Sequence, residues 1–309
     1  MIIKRTVNSK PRYLTRHGLR FPVYVLIGVL LAALGNASPL PKSTSNRVPP
    51  QPTLVAVVSG EGEPEMNMDA VVIVRGGKLT APYVEDSEAA QQKFAKEYFQ
   101  TGQKYRLTFG GGEVGTATVK KSDTGCNNIH ATVTVETTAK IHGQVKALAT
   151  NSTSLGRRAS ARRAPTDAER TAVMDLVKKI YSQHRVTSAQ YRSLKVTNLA
   201  ATDLDGDGKY EVIGSFALAL KTKAQRDLFL LAESQGAGMR AGFAKFQAYQ
   251  PPPEGFLSSI DFVDQLDLDG DGTGEVFAVQ GGFDGYGYVI FKKLGGRWRE
   301  VYSAMGDAC

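Results

Sequence analysis

Residues 203–212 read Asp-Leu-Asp-Gly-Asp-Gly-Lys-Tyr-Glu-Val, and 64 positions later residues 267–276 read Asp-Leu-Asp-Gly-Asp-Gly-Thr-Gly-Glu-Val. Each copy crowds four carboxylates around at least two glycines within nine residues. Anions this close repel one another unless a cation joins them. Hard, anionic, all-oxygen ligands suit Ca²⁺. The duplicated decapeptide therefore dictates two tight turns that each curl around a cation, and a fold that presents both.

A chain wrapping such an ion offers side chains from alternate residues. In the first copy these are Asp203, Asp205 and Asp207, then the backbone carbonyl of Lys209, then Glu211. In the second they are Asp267, Asp269, Asp271, the carbonyl of Thr273, and Glu275. The glycines at 206, 208, 270 and 272 allow the left-handed backbone that so tight a curl needs. An EF-hand would place a bidentate Glu at the twelfth loop position and flank the loop with helices. Here that position is Gly214 or Ala278. Val212, Phe216, Leu218 and Leu220 alternate with Ile213, Ser215, Ala217 and Ala219, so a strand is predicted to leave the first loop, with the closing Glu at its start. The metal-free alternative is a pair of Asp/Gly turns, since both residues are ordinary turn formers.

These residues resemble the FG-GAP and VCBS repeat family, whose β-hairpins carry Asp-x-Asp-x-Asp-Gly calcium loops. The resemblance covers residues 190–305 and is carried by the duplicated DLDGDGxxEV. It implies blade-like sheets with one calcium per loop. Glu211 and Glu275 stand where many members carry Asp.

The rest of the chain divides by composition. Residues 1–37 carry Lys4, Arg5, Lys10, Arg12, Arg16 and Arg20 with no acid, so this segment holds most of the net charge of +8. A nucleic-acid partner loses its main support once these are set aside. An apolar run from Phe21 to Leu34 and the small residues Gly35-Asn36-Ala37 complete the pattern of a secretion signal cleaved after Ala37. The alternative is a membrane anchor over residues 21–35, short for a span of about 20 residues. Export to the periplasm, cell surface or medium follows from the first reading. Cys126 and Cys309 are the only cysteines. In an exported chain they form a disulfide or stand as two thiols.

Residues 38–52 are a Pro/Ser-rich tether. Residues 53–148 read as a small α+β domain, with strands near 54–58, 70–74, 105–109, 114–120 and 129–136 and a helix over 87–100. Gly110-Gly111-Gly112 has no following helix and no Lys-Ser/Thr, so it reads as a turn and not a phosphate cradle. Residues 149–166, with Arg157, Arg158, Arg162 and Arg163, read as a solvated basic connector. Residues 167–309 form the repeat domain. It opens with a helix that Thr166-Asp167-Ala168-Glu169 caps and that carries an apolar stripe through Val173, Val177 and Ile180. Two units of four strands follow. Two blades cannot close a ring, so the helix, the N-terminal domain or a second copy of the chain must cover the open faces and edges.

The predicted fold class is therefore mainly β: a calcium-binding pair of four-stranded units with a preceding helix, joined to a small α+β domain. No nucleophile–base pattern and no His-Glu-x-x-His is present among His130, His142 and His184. The aromatics in residues 281–288 read either as an exposed ligand rim or as a turn with packed tyrosines, and Trp298 reads as a core residue. The function expected is a non-enzymatic, calcium-binding module for binding or adhesion at the cell envelope, with a protein or glycan ligand. The alternative is an enzyme whose activity resides in residues 53–148.

Overall fold

The computed structural model describes residues 52–60, 65–82, 87–125, 128–220, 224–236, 238–250, 259–281 and 285–308. The signal segment, all but Pro52 of the tether, both cysteines and residues 282–284 lie outside the described residues.

The first seven strands are β1 (Thr53–Ser59), β2 (Glu65–Arg75), β3 (Lys78–Thr80), β4 (Lys104–Phe109), β5 (Gly112–Gly125), β6 (Asn128–Thr137) and β7 (Ala147–Thr150). They form one antiparallel sheet in the order β1-β7-β4-β5-β6-β2-β3. Because β1 also pairs with β2, six of the strands close into a barrel, and closure removes the open edges. Leu54, Ala56 and Val58 of β1 point into the barrel core with Met68, Leu107, Val119 and Val133. Helix α1 (Glu88–Tyr98) is capped by Ser87 and adds Phe94 and Tyr98 to that core.

The intervening residues of β1, Val55 and Val57, pack outward with Val72 and Leu148 against the second of two further sheets. A strand buried on both faces must be apolar throughout, which accounts for the unbroken run Leu54–Val58. The two further sheets are antiparallel. One has the order β12-β11-β10-β9-β8. Its strands are β8 (Arg162–Arg163), β9 (Leu194–Thr202), β10 (Glu211–Ala219), β11 (Gln225–Gln235) and β12 (Gly238–Tyr249). The other is the meander β13 (Ile260–Leu266), β14 (Glu275–Gly281), β15 (Gly285–Leu294) and β16 (Arg297–Ala308).

The layers stack in sequence. Helix α2 (Asp167–Gln183) lays Val173, Val177, Ile180 and Tyr181 on one face of the first sheet, against Val212, Phe216, Leu228 and Leu230. The other face, with Ile213, Phe229 and Leu231, meets Phe262, Val276, Val289, Phe291 and Trp298 of the second sheet. That sheet's remaining face, with Val263, Phe277 and Ile290, meets the barrel. Both exposed sheet faces are thus covered from within the chain. The Trp298 indole is buried, whereas its neighbours Arg297 and Arg299 are exposed.

The start of α2 is doubly tied. Thr166 and Glu169 exchange the reciprocal bonds of a capping box, and Arg163 forks onto both Glu169 oxygens at 2.7 Å. The Arg163 guanidinium also lies 3.9 Å from the centre of the Tyr210 ring. Arg163 and the cap hold the Glu169 carboxyl down at about 2, against its ordinary 4.5. Stability from this group is complete above the higher value and drains as pH falls through the lower one. Glu169→Gln should therefore flatten the acid limb of the stability–pH curve in that window, measured by urea melts between the two values. A limb as steep as that of the unmodified chain would show that this carboxylate contributes nothing there.

The connecting segment 149–166 corrects its sequence reading. It is solvated only in part: residues 157–160 are exposed, whereas other residues of it are tied down. Thr150 belongs to β7, Arg158 bridges to Gly112, and the Ala161 N–H donates to the Gly110 carbonyl at 3.0 Å. The Arg162 side chain is 7% exposed and pairs with Asp264, which is fully buried. Its guanidinium lies 4.7 Å from the centres of both the Phe109 and the Phe262 rings. A planar, weakly hydrated cation can be buried when aromatic faces and a carboxylate surround it.

Candidate metal centre

Each acidic loop closes a hairpin at the same register. Thr202 of β9 pairs with Glu211 of β10, and Leu266 of β13 pairs with Glu275 of β14. The four loop glycines have φ between 74° and 94°. Asp203 caps the first loop by accepting the N–H groups of Gly206 and Gly208, at 2.8 and 3.0 Å. Asp267 does the same for Gly270 and Gly272, at 2.7 and 3.1 Å. The closing glutamates brace the turns from below: Leu204 N–H donates to Glu211 Oε2 at 3.0 Å, and Leu268 N–H to Glu275 Oε2 at 2.7 Å. Both leucines are buried, so each loop is pinned at its second residue.

Carboxylate oxygens of Asp203, Asp205 and Glu211 lie within 4.8 Å of one another, and so do those of Asp267, Asp269 and Asp271. Either group could hold a metal ion. Oxygens that share one Ca²⁺ at about 2.4 Å can be at most about 4.8 Å apart, so both groups meet a necessary condition for a shared cation. The donors are hard and anionic, as such an ion requires.

The structure does not gather every residue expected from sequence. Asp207 turns to the Lys209 ammonium at 2.9 Å and stands outside the first group. Both side chains are largely exposed, so this pair is weakly held. Glu275 lies outside the second group, and its free oxygen takes a bond from Lys292 of β15. The same ammonium contacts Asp269 at 2.8 Å and Asp271 at 3.0 Å. Burial pushes the Glu211 carboxyl up to about 7, and it raises Glu275 as well. Burial opposes the charge on Lys292, but the three carboxylates outweigh it and raise its pKa.

The loops touch each other. The Gly274 N–H donates to the Leu204 carbonyl at 2.7 Å, and Gln265 Nε2 donates to the Asp203 carbonyl at 3.0 Å. Arg158 lies across the pair: it donates to the Gly272 carbonyl and lies against Gly206. A cavity of about 590 Å³ opens between these loops and the segment 154–161, with Gly110, Arg158, Tyr210 and Gln265 in its wall. Lys292 and Arg158 are absent from the sequence reading of the site. The only sequence signal for Arg158 is the basic run itself.

The aromatic stretch after Gly281 resolves towards packed tyrosines. Tyr286 and Tyr288 both donate to Asp69 Oδ2, at 3.0 and 2.9 Å, and Tyr288 is 3% exposed. With Asp69, His130 and Lys146 they line a second cavity, of about 370 Å³, between the barrel and β14–β15. Among the described residues no helix is long and apolar enough to cross a membrane. No family model, no curated protein and no solved structure matches the chain.

Proposed function

We propose that this protein is an exported calcium-binding module whose acidic hairpins are held in shape by Ca²⁺, and that it serves in binding or adhesion at the cell envelope, with a protein or glycan as partner. The observation that supports the calcium reading is that each hairpin, closed at the same register, gathers three carboxylates with oxygens inside 4.8 Å: Asp203, Asp205 and Glu211 in one, Asp267, Asp269 and Asp271 in the other. Export rests on the basic and apolar N-terminal pattern of the sequence. The reading draws on the loops and not on membership of the FG-GAP family. Asp203, Asp205 and Glu211 would hold one ion, with Asp207 and the Lys209 carbonyl completing its shell. Asp267, Asp269 and Asp271 would hold another, with Glu275 and the Thr273 carbonyl. The ion would neutralise the loop and fix the hairpin, a structural role.

A ligand that binds only the folded chain stabilises it by mass action. With a dissociation constant on the order of 10⁻⁴–10⁻³ M, about 10 mM Ca²⁺ adds roughly 1.4–2.7 kcal/mol for each loop that loads. The melting midpoint should rise by roughly 3–10 °C and return on chelation. Asp205→Asn with Asp269→Asn should remove most of that rise. A midpoint indifferent to both calcium and chelator would end the calcium reading.

A further inference from the structure

The two loops share a sequence but not an electrostatic setting. In the second sheet Val276 pairs with Phe291, which places Lys292 opposite Glu275. In the first sheet Val212 pairs with Ala232, which places Glu233 at the corresponding position opposite Glu211. The strand beside one loop thus offers a cation, and the strand beside the other offers a further acid.

The Lys292 ammonium stands where a metal ion would stand. It contacts Asp269, Asp271 and Glu275 at once, and its side chain is 18% exposed. An ammonium and a divalent ion cannot share those oxygens, because each needs the same space and the two repel. At the first loop the neighbouring cation is diverted. Lys293 is 3.8 Å from Asp205 but 3.0 Å from Glu233. Glu233 is buried, held by the Trp298 indole N–H at 2.9 Å and also paired with Arg240, so it draws that ammonium toward itself and leaves Asp205 only the longer contact. Among the described residues Glu211 forms no ion pair, whereas its counterpart Glu275 does.

We propose that the second loop is filled by a tethered cation of its own, the Lys292 ammonium, so that calcium enters the first loop alone at low concentration and reaches the second only by displacing the lysine. The inference rests on the calcium reading above and adds an order of filling. The second hairpin keeps a counter-charge without metal. The first is the one whose shape depends on calcium. A competitor that occupies the site most of the time lowers apparent affinity in proportion to the fraction left open, about tenfold or more if that fraction is a tenth or less.

Titration of the full chain with CaCl₂ by calorimetry tests this. The expected result is one equivalent bound first and a second at least about tenfold weaker. Asp205→Asn should abolish the first equivalent, and Asp269→Asn should leave it intact. Lys292→Met should bring the second equivalent to within about threefold of the first. Two equivalents of equal affinity in the unmodified chain, or loss of the first equivalent in Asp269→Asn, would overturn the proposal while leaving the calcium reading in place. No heat from either loop, in the unmodified chain and in Lys292→Met alike, would overturn both. If Lys292→Met fails to fold, the two aspartate variants still decide which loop fills first.

Discussion

Asp264→Ala should lower stability by on the order of 3–5 kcal/mol, seen as a fall of about 10 °C in the melting midpoint. Asp264 has no exposure to solvent and accepts the Gly110 N–H on both oxygens, at 3.0 and 2.9 Å, while Arg162 approaches at 3.3 Å. Truncation leaves the buried Gly110 N–H without its acceptor and the Arg162 guanidinium without a counter-charge, with only the Val263 and Lys146 carbonyls to accept from it. The pair itself is not a large net source of stability. Burial raises the Asp264 carboxyl to about 6 despite Arg162, and burial lowers Arg162 despite Asp264, so desolvation outweighs attraction on both sides. The sign follows. A carboxyl raised from 3.8 to about 6 holds its proton more tightly in the folded state, so its contribution falls as pH rises through that window. Breaking the pair is costly, yet replacing both partners by apolar residues of similar size need not be. Arg162→Met with Asp264→Leu should therefore recover much of what Asp264→Ala loses. If the double variant is as unstable as the sum of the single ones, the pair is worth more than burial allows.

That contact marks where sequence reasoning stopped. Five of the six barrel strands were legible as apolar or alternating runs, whereas β7 fell at the expected domain boundary and was missed. Closure was not legible, because it depends on pairings such as Val55 with Thr150, far apart in the chain and invisible to a local pattern. The capped helix was legible in full, since a capping box is a contact among four consecutive residues. Its site of packing followed from the stripe through Val173 and Val177. The basic connector was misread because charge alone says nothing of the partner. Arg162 meets Asp264 at a separation of 102 residues, and nothing near Arg162 in sequence signals a buried carboxylate.

The acidic loops follow the same division. Asp203, Asp205 and Glu211 are brought together by a turn that their own glycines permit, so spacing predicts geometry. Lys292 enters the second loop from the next strand but one, 23 residues beyond Asp269, and Arg158 arrives from 114 residues before Gly272. What distinguishes the two loops is supplied by other strands. Two near-identical decapeptides can therefore differ in what they bind.

Gly110→Ala should cost roughly 2–5 kcal/mol and release the segment that follows the barrel. Gly110 has a φ of 61°, a conformation in which any Cβ is strained by about 1–2 kcal/mol. An added Cβ would also stand 2.5 Å from the Arg162 backbone nitrogen and 2.9 Å from that of Ala161. Relief by movement is blocked on both sides. The Gly110 N–H is held by Asp264, and its carbonyl accepts the Ala161 N–H at 3.0 Å. Forcing atoms into such a contact adds about 1–3 kcal/mol. Gly143 is the control: its φ is 56°, but nothing lies within 4 Å of the added Cβ, so Gly143→Ala carries the conformational strain alone. The excess of the first variant over the second measures how firmly residues 158–162 are clamped between the barrel and β13. Limited trypsin digestion gives the local readout, because a loosened segment presents Arg157, Arg158, Arg162 and Arg163 for cleavage. Equal melting midpoints and equal cleavage rates for the two alanine variants would falsify the clamp and return that stretch to the role of a free connector.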